Sequence, residues 1–117
     1  MSRNEDLLIE MVKVKPALAQ SEHLSDVSLL HLAAKYGFTQ LTQYLLEKEL
    51  IDVNVRDGKN QTPLHYGVID NKPKVIEILL NFNCDTKLKD IDGNLAIDIA
   101  RRCKNEEVIK LFQLKAE

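Results

Sequence analysis

The chain contains no tryptophan, and only 5% of its residues are aromatic. Nucleic-acid binders normally combine stacking aromatics with a basic excess, whereas 16 basic against 18 acidic residues give this chain a net charge of −2. Nucleic acid is therefore not an expected partner. Cysteine is also scarce: Cys84 and Cys103 are too few for a disulfide framework and lack the paired spacing of a structural zinc site. No metal or cofactor is expected, and a reducing compartment, cytoplasmic or nuclear, fits this usage. Long apolar runs are missing as well. The N-terminal cluster Leu7 to Ile9 with Met11 and Val12 is interrupted by Glu10 and Lys13, so it is neither a signal-peptide core nor a membrane span. No glycine-rich phosphate loop, Ser/His/Asp set or H-E-x-x-H run occurs, and catalysis has no support.

What the chain does have is enough apolar residue, 44% over 117 positions, to build one hydrophobic core. It also repeats itself. Ser28-Leu29-Leu30-His31 aligns with Thr62-Pro63-Leu64-His65 at an offset of 34, and Leu45-Leu46 aligns with Leu79-Leu80 at the same offset. At an offset of 33, Asp57 meets Asp90, Leu64 meets Ile97, Val75-Ile76 meets Val108-Ile109 and Leu79 meets Phe112. The one-residue difference falls in the loop between Leu46 and Asp52.

Each copy reads as two short helices followed by an extended turn. Thr62 is a helix cap and Pro63 suits the first helical position, predicting a helix to about Asp70. Asn71-Lys72-Pro73 breaks it and starts a second, whose Val75, Ile76, Ile78, Leu79, Leu80 and Phe82 cover more than one face. Asn83 suits a left-handed helix end. Copy one predicts helices over Leu29–Tyr36 and Gln40–Lys48, parted by Gly37, then an extended Val53–Val55 and a turn at Asp57-Gly58. Copy three predicts helices over Ala96–Cys103 and Glu106–Leu114 after a turn at Asp92-Gly93. Ahead of them, Asp6–Val14 reads as a capping helix with Leu7, Leu8, Met11 and Val12 apolar and Glu5, Glu10 and Lys13 polar. A helix pair of this size cannot bury its apolar faces alone, so the units must stack into a solenoid.

These residues resemble the ankyrin repeat family. Thr62-Pro63-Leu64-His65, His31-Leu32-Ala33-Ala34, Lys35-Tyr36-Gly37 and Asp52-Val53-Asn54 match its pattern, while Gly67-Val68 replaces two usual alanines and Leu95-Ala96-Ile97-Asp98 replaces T-P-L-H. The resemblance implies an all-α solenoid of stacked helix-turn-helix units with short hairpin-like loops. Its expected segments are a cap over 1–24 and repeats over 25–56, 57–89 and 90–117. The third should be the least stable, since loss of the Thr cap costs roughly 1 kcal/mol.

The resemblance also implies a non-enzymatic protein-binding module, an adaptor, scaffold or inhibitor presenting a rigid concave groove. The alternative is a regulatory or substrate-positioning segment of a larger enzyme, kinase or channel. A Met start and a cap at each end favour a free-standing adaptor or inhibitor, and a monomer is the default for a capped solenoid. The family's recognition positions map onto Ser25, Val27, Lys35 and Tyr36; Lys59, Gln61, Ile69 and Asp70; and Asp92, Asn94, Arg102 and Cys103. Tyr36, Ile69 and Arg102 carry the most weight, as aromatic, apolar and guanidinium groups at a surface. His31 and His65 tempt a metal or acid–base reading, but the family's histidine at that position is structural, bonding backbone between repeats. Cys84 falls where the family usually buries a small residue, and Cys103 sits among Arg101, Arg102 and Lys104. Asn54 looks like the asparagine that is hydroxylated in animal ankyrin repeats. Finally, Lys87, Lys89, Arg101, Arg102 and Lys104 form a candidate patch for an acidic segment of a partner, set against balance by Asp90, Asp92 and Asp98.

Overall fold

A computed structural model describes residues 3–14 and 27–116. Seven helices occur among them: α1 (Arg3–Val14), α2 (Leu29–Tyr36), α3 (Thr39–Glu47), α4 (Pro63–Ile69), α5 (Pro73–Asn81), α6 (Ala96–Arg102) and α7 (Glu106–Ala116). The predicted helices match to within a residue or two at most ends; α1 begins at Arg3 rather than Asp6. The helices stack in two layers. The first helices α2, α4 and α6 pack in one row, the second helices α3, α5 and α7 in another, and α1 lies against α3 in the second row.

Burial follows from that stacking. Leu41, Leu45, Val75, Ile76, Leu79 and Val108 of the second layer are fully covered, and Leu30, Ala33, Ala34, Leu64 and Ala100 of the first layer close against them. Alanines at 33 and 100 let the paired helices approach closely, and Gly67 holds the same place in copy two. A Cβ at Gly67 would lie 3.1 Å from the Ile76 Cγ1. α1 is rotated relative to the sequence expectation. Its buried residues are Glu5 and Val12, with Leu8 and Ile9 packed partly against the core, while Leu7 and Met11 are exposed. Glu5 goes inward because its Oε1 accepts the Leu41 N–H at 2.9 Å. That amide lies in the first turn of α3, whose own cap residue, Phe38, has no side-chain acceptor.

Backbone turns repeat with the same period. Gly37, Asn71 and Lys104 take positive φ between the paired helices, Glu49 and Asn83 do so after the second helix, and Asn60 and Gly93 do so at the loop tips. Asn83 thus ends its helix as expected. At the first tip the left-handed residue is Asn60 rather than a glycine, and Gly58 has no such strain. The expected extended run Val53–Val55 is instead a turn at residues 53 and 54. Asp52 Oδ1 accepts the Asn54 N–H at 2.8 Å, and the Val55 N–H donates to the Asp52 carbonyl at 3.0 Å. A short side-chain acceptor two residues back satisfies the amide that a strand would have left open. The loops are hairpin-like without strands among the described residues.

Candidate protein-binding face

Two histidines fix the loop tips against the first helices. In α2 the cap residue Ser28 presents its N–H (3.1 Å) and Oγ (2.8 Å) to His31 Nδ1, and Ser28 Oγ in turn accepts the His31 N–H at 3.2 Å. With Nδ1 accepting, the ring proton sits on Nε2, which donates to the Gln61 carbonyl of the next loop at 2.8 Å. Copy two repeats this with Thr62, His65 and the Asn94 carbonyl at 3.0 Å. Both imidazoles are buried and committed to backbone, so they are structural links between repeats rather than metal ligands or acid–base groups. Burial holds the His31 pKa below its ordinary value, against a smaller upward pull from its bond to Gln61.

Each tip is closed by an aspartate. Asp57 Oδ1 accepts the Lys59 and Gln61 N–H groups, both at 2.8 Å, and Asp90 Oδ1 accepts those of Asp92 (3.0 Å) and Asn94 (2.9 Å). The Tyr66 hydroxyl of α4 also donates to Asp57 Oδ2 at 2.6 Å, and its ring lies 4.8 Å from that of His31. Burial alone would raise the Asp57 pKa, but the Tyr66 hydroxyl and the two amides outweigh it and hold the carboxyl low; burial and the same pair push the Tyr66 hydroxyl up. The Ile91 N–H donates to the Lys59 carbonyl at 2.9 Å, which joins one tip to the next. Loop tips and first helices therefore make one preformed surface.

The side chains exposed on this surface are partly apolar. Tyr36 is 57% exposed, Ile69 50% and Leu32 38%. Tyr36 and Leu32 also border an apolar groove of about 500 Å³ with Leu7, Leu8, Met11, Leu29 and Phe38, between α1 and α2. The Lys35 ammonium lies 5.8 Å from the centre of the Tyr36 ring, and an Arg102 Nη2 donates to Asn94 Oδ1.

The sequence profile for ankyrin repeats, three copies, matches residues 3–90 and again 30–117. The chain belongs to the ankyrin-repeat family. Among its relatives are human NF-kappa-B inhibitor alpha, 37% identical over 76 residues (62% of this chain, 24% of that protein), and the rat nuclear factor NF-kappa-B p105 subunit, 35% identical over 107 residues (82% and 11%). A third is the Drosophila melanogaster E3 ubiquitin-protein ligase Ufd4, 34% identical over 93 residues (77% and 3%). The chain thus spans about a quarter or less of these proteins. Ankyrin repeats are a non-enzymatic, protein-binding fold, and the all-α solenoid expected of this chain is the one observed.

In this ankyrin-repeat chain the expected recognition residues divide as follows. Lys35, Tyr36, Lys59, Ile69, Asp70, Asp92, Arg102 and Cys103 are exposed; Val27, Gln61 and Asn94 are half-buried. Gln61 and Asn94 lend their main chains to the histidine links, and the Asn94 side chain receives Arg102. Ser25 lies outside the described residues. Leu32 and Ile91, 38% and 64% exposed, were missed. Leu32 shares its repeat position with Tyr66 and Ile99, so the period suggests a core residue. Nothing in the sequence shows that copy one leaves that position open.

Within the candidate basic patch, Arg102 has a different setting from Arg101 and Lys87. Arg102 is tied to Asn94 beside the tips, whereas Arg101 and Lys87 border a separate pocket at the end of the solenoid. Asp90 and Asp98, expected to balance the patch, are engaged with backbone N–H groups instead. Among the described residues no His/Cys/Asp/Glu group is placed to hold a metal, and no helix is long and apolar enough to cross a membrane.

Proposed function

We propose that the first-helix face with its loop tips is the surface by which this ankyrin chain captures a protein partner, centred on Tyr36, Ile69 and Arg102. The observation that carries this reading is the exposure of Leu32, Tyr36 and Ile69 on first helices whose neighbouring tips are locked by His31 and His65. A locked surface loses little conformational entropy on binding, and aromatic, apolar and guanidinium side chains supply the anchoring contacts. The chain acts in this reading as a monomer of the cytoplasm or nucleus. Affinity capture with wild type beside a Tyr36→Ala/Ile69→Ala/Arg102→Ala variant, after circular dichroism shows both to be folded, tests it. A protein enriched by wild type and lost with the variant supports the assignment, and equal recovery refutes it.

A second reading concerns Asn54, whose Oδ1 accepts the Asp85 N–H at 2.7 Å and so links successive loops. For a chain of animal origin we propose hydroxylation at this asparagine. Intact-mass measurement on native protein without a mass gain removes the idea.

A further inference from the structure

Towards the end of the solenoid a pocket of about 510 Å³ lies between α6, α7, Leu80 of α5 and the loop after α5. The repeat register explains why it is open. Ile97 and Arg101 on α6 hold the places that Leu64 and Val68 hold on α4, and Leu30 and Ala34 on α2. Those four residues are buried, on helices that have a following first helix packed against them, whereas Ile97 is half-buried and Arg101 exposed. On α7, Gln113 replaces the buried Leu80 and Leu46. Leu95, Ile97 and Phe112 remain as apolar walls, and Lys87 faces the same pocket from the loop.

A terminal cap needs polar side chains on its outer face but is indifferent to their sign. Here the sign is uniform: the charged residues lining the pocket are Lys87 and Arg101, with no carboxylate among the lining residues. Neither cation is paired, since the one ion pair among the described residues joins Lys13 to Glu10 on α1. The carboxylates nearby in sequence bond backbone amides rather than either cation. Asp85 Oδ1 accepts the Lys87 N–H at 2.9 Å, Asp98 Oδ2 accepts the Leu95 N–H at 3.1 Å, and Asp90 closes its own tip. Two cations outside any ion pair, over an apolar floor, are complementary to an anionic chain that also carries apolar side chains.

We propose that this end pocket binds an acidic peptide segment, with its carboxylates on Lys87 and Arg101 and an apolar side chain between Leu95, Ile97 and Phe112. The site is separate from the first-helix face, and its failure leaves that reading standing. The test is titration of the isotope-labelled chain with the blocked peptide Glu-Asp-Glu-Leu-Phe-Glu-Asp-Glu, followed by amide chemical shifts. The expected result is saturable shifts at Lys87, Leu95, Ile97, Arg101 and Gln113. Affinity should fall about tenfold in a Lys87→Gln/Arg101→Gln variant and hold in a Tyr36→Ala/Ile69→Ala variant. Both cations are exposed, and an unchanged spectrum away from the pocket shows that their replacement leaves the fold intact. Four results overturn the proposal: shifts confined to the Tyr36 and Ile69 face, unchanged affinity of the Gln variant, equal binding of a peptide with glutamine and asparagine in place of the acids, or no shifts at about 1 mM peptide.

Discussion

At the residue scale, His31 couples the fold to pH. Its Nδ1 must accept from Ser28 while its Nε2 donates to the Gln61 carbonyl, an arrangement open only to the neutral ring. Burial lowers its folded pKa below the unfolded value of 6.5, so the unfolded chain binds more protons as the pH falls. Its contribution to stability is complete above about pH 6.5 and is lost as pH falls through the folded pKa. Urea unfolding at pH 7.5 and 5.5 should show wild type losing more stability on acidification than His31→Gln, which is less stable at the higher pH but lacks this titration. Equal losses would mean that the imidazole is free to protonate in place. Asp57 acts in a lower window with the same sense, since its carboxyl is held low by Tyr66 and two amides. Its support persists above the unfolded carboxylate pKa and goes as pH falls through the lower folded one.

At the scale of the element, the helices differ in how their first turns are satisfied, and this decides which were legible in the sequence. Thr62-Pro63 and Ser28 announce α4 and α2 because cap and first turn are contiguous, and the capping box is made from residues three apart. In α6 half of that box survives without the threonine, because Asp98 takes the place of His65 and accepts the Leu95 N–H. The expected penalty for a missing cap is thereby partly offset. Asp98 has no counterpart to Nε2, so the series of histidine links stops at Asn94. The cap of α3 could not be read at all, because Glu5 reaches Leu41 from 36 residues away. The pattern of α1 placed Glu5 on a polar face, and only the stacking of α1 on α3 turns it inward. The exposed Leu7 and Met11 were misread for the same reason: an amphipathic stripe shows that a helix packs, not which part of the stripe meets its neighbour. Glu5→Ala should cost about 1–2 kcal/mol by leaving a buried first-turn amide unpaired. Glu5→Gln keeps an acceptor of the same reach and should lose only the charge–dipole part, about 0.3–1 kcal/mol. Chemical denaturation of the two variants checks this, and equal losses would show that packing rather than capping holds Glu5.

At the scale of the molecule, the described residues form a row of units that pack mainly on their neighbours. α4 packs on both α2 and α6, α5 on both α3 and α7, and α3 also carries α1, so the third unit is the one supported by a single neighbour. The period of 33 to 34 made this order legible, because Leu45, Leu79 and Phe112 are one core position met three times. Unequal support predicts unequal opening. Phe112 packs at the end of the row and Leu79 at its centre, and both are largely buried. Truncating Leu79 to alanine should cost about 2–5 kcal/mol and Phe112 to alanine about 3–5 kcal/mol, so size alone does not separate them. Location should. In native-state hydrogen exchange, Phe112→Ala should speed the amides of α6 and α7 while those of α2 to α5 keep their protection. Leu79→Ala should lower protection throughout, because losing the middle unit removes a neighbour from both others. If Phe112→Ala lowered protection equally in every helix, the chain would open as one cooperative block. The end pocket would then be as rigid as the centre, whereas a nearest-neighbour row makes it the first surface to yield.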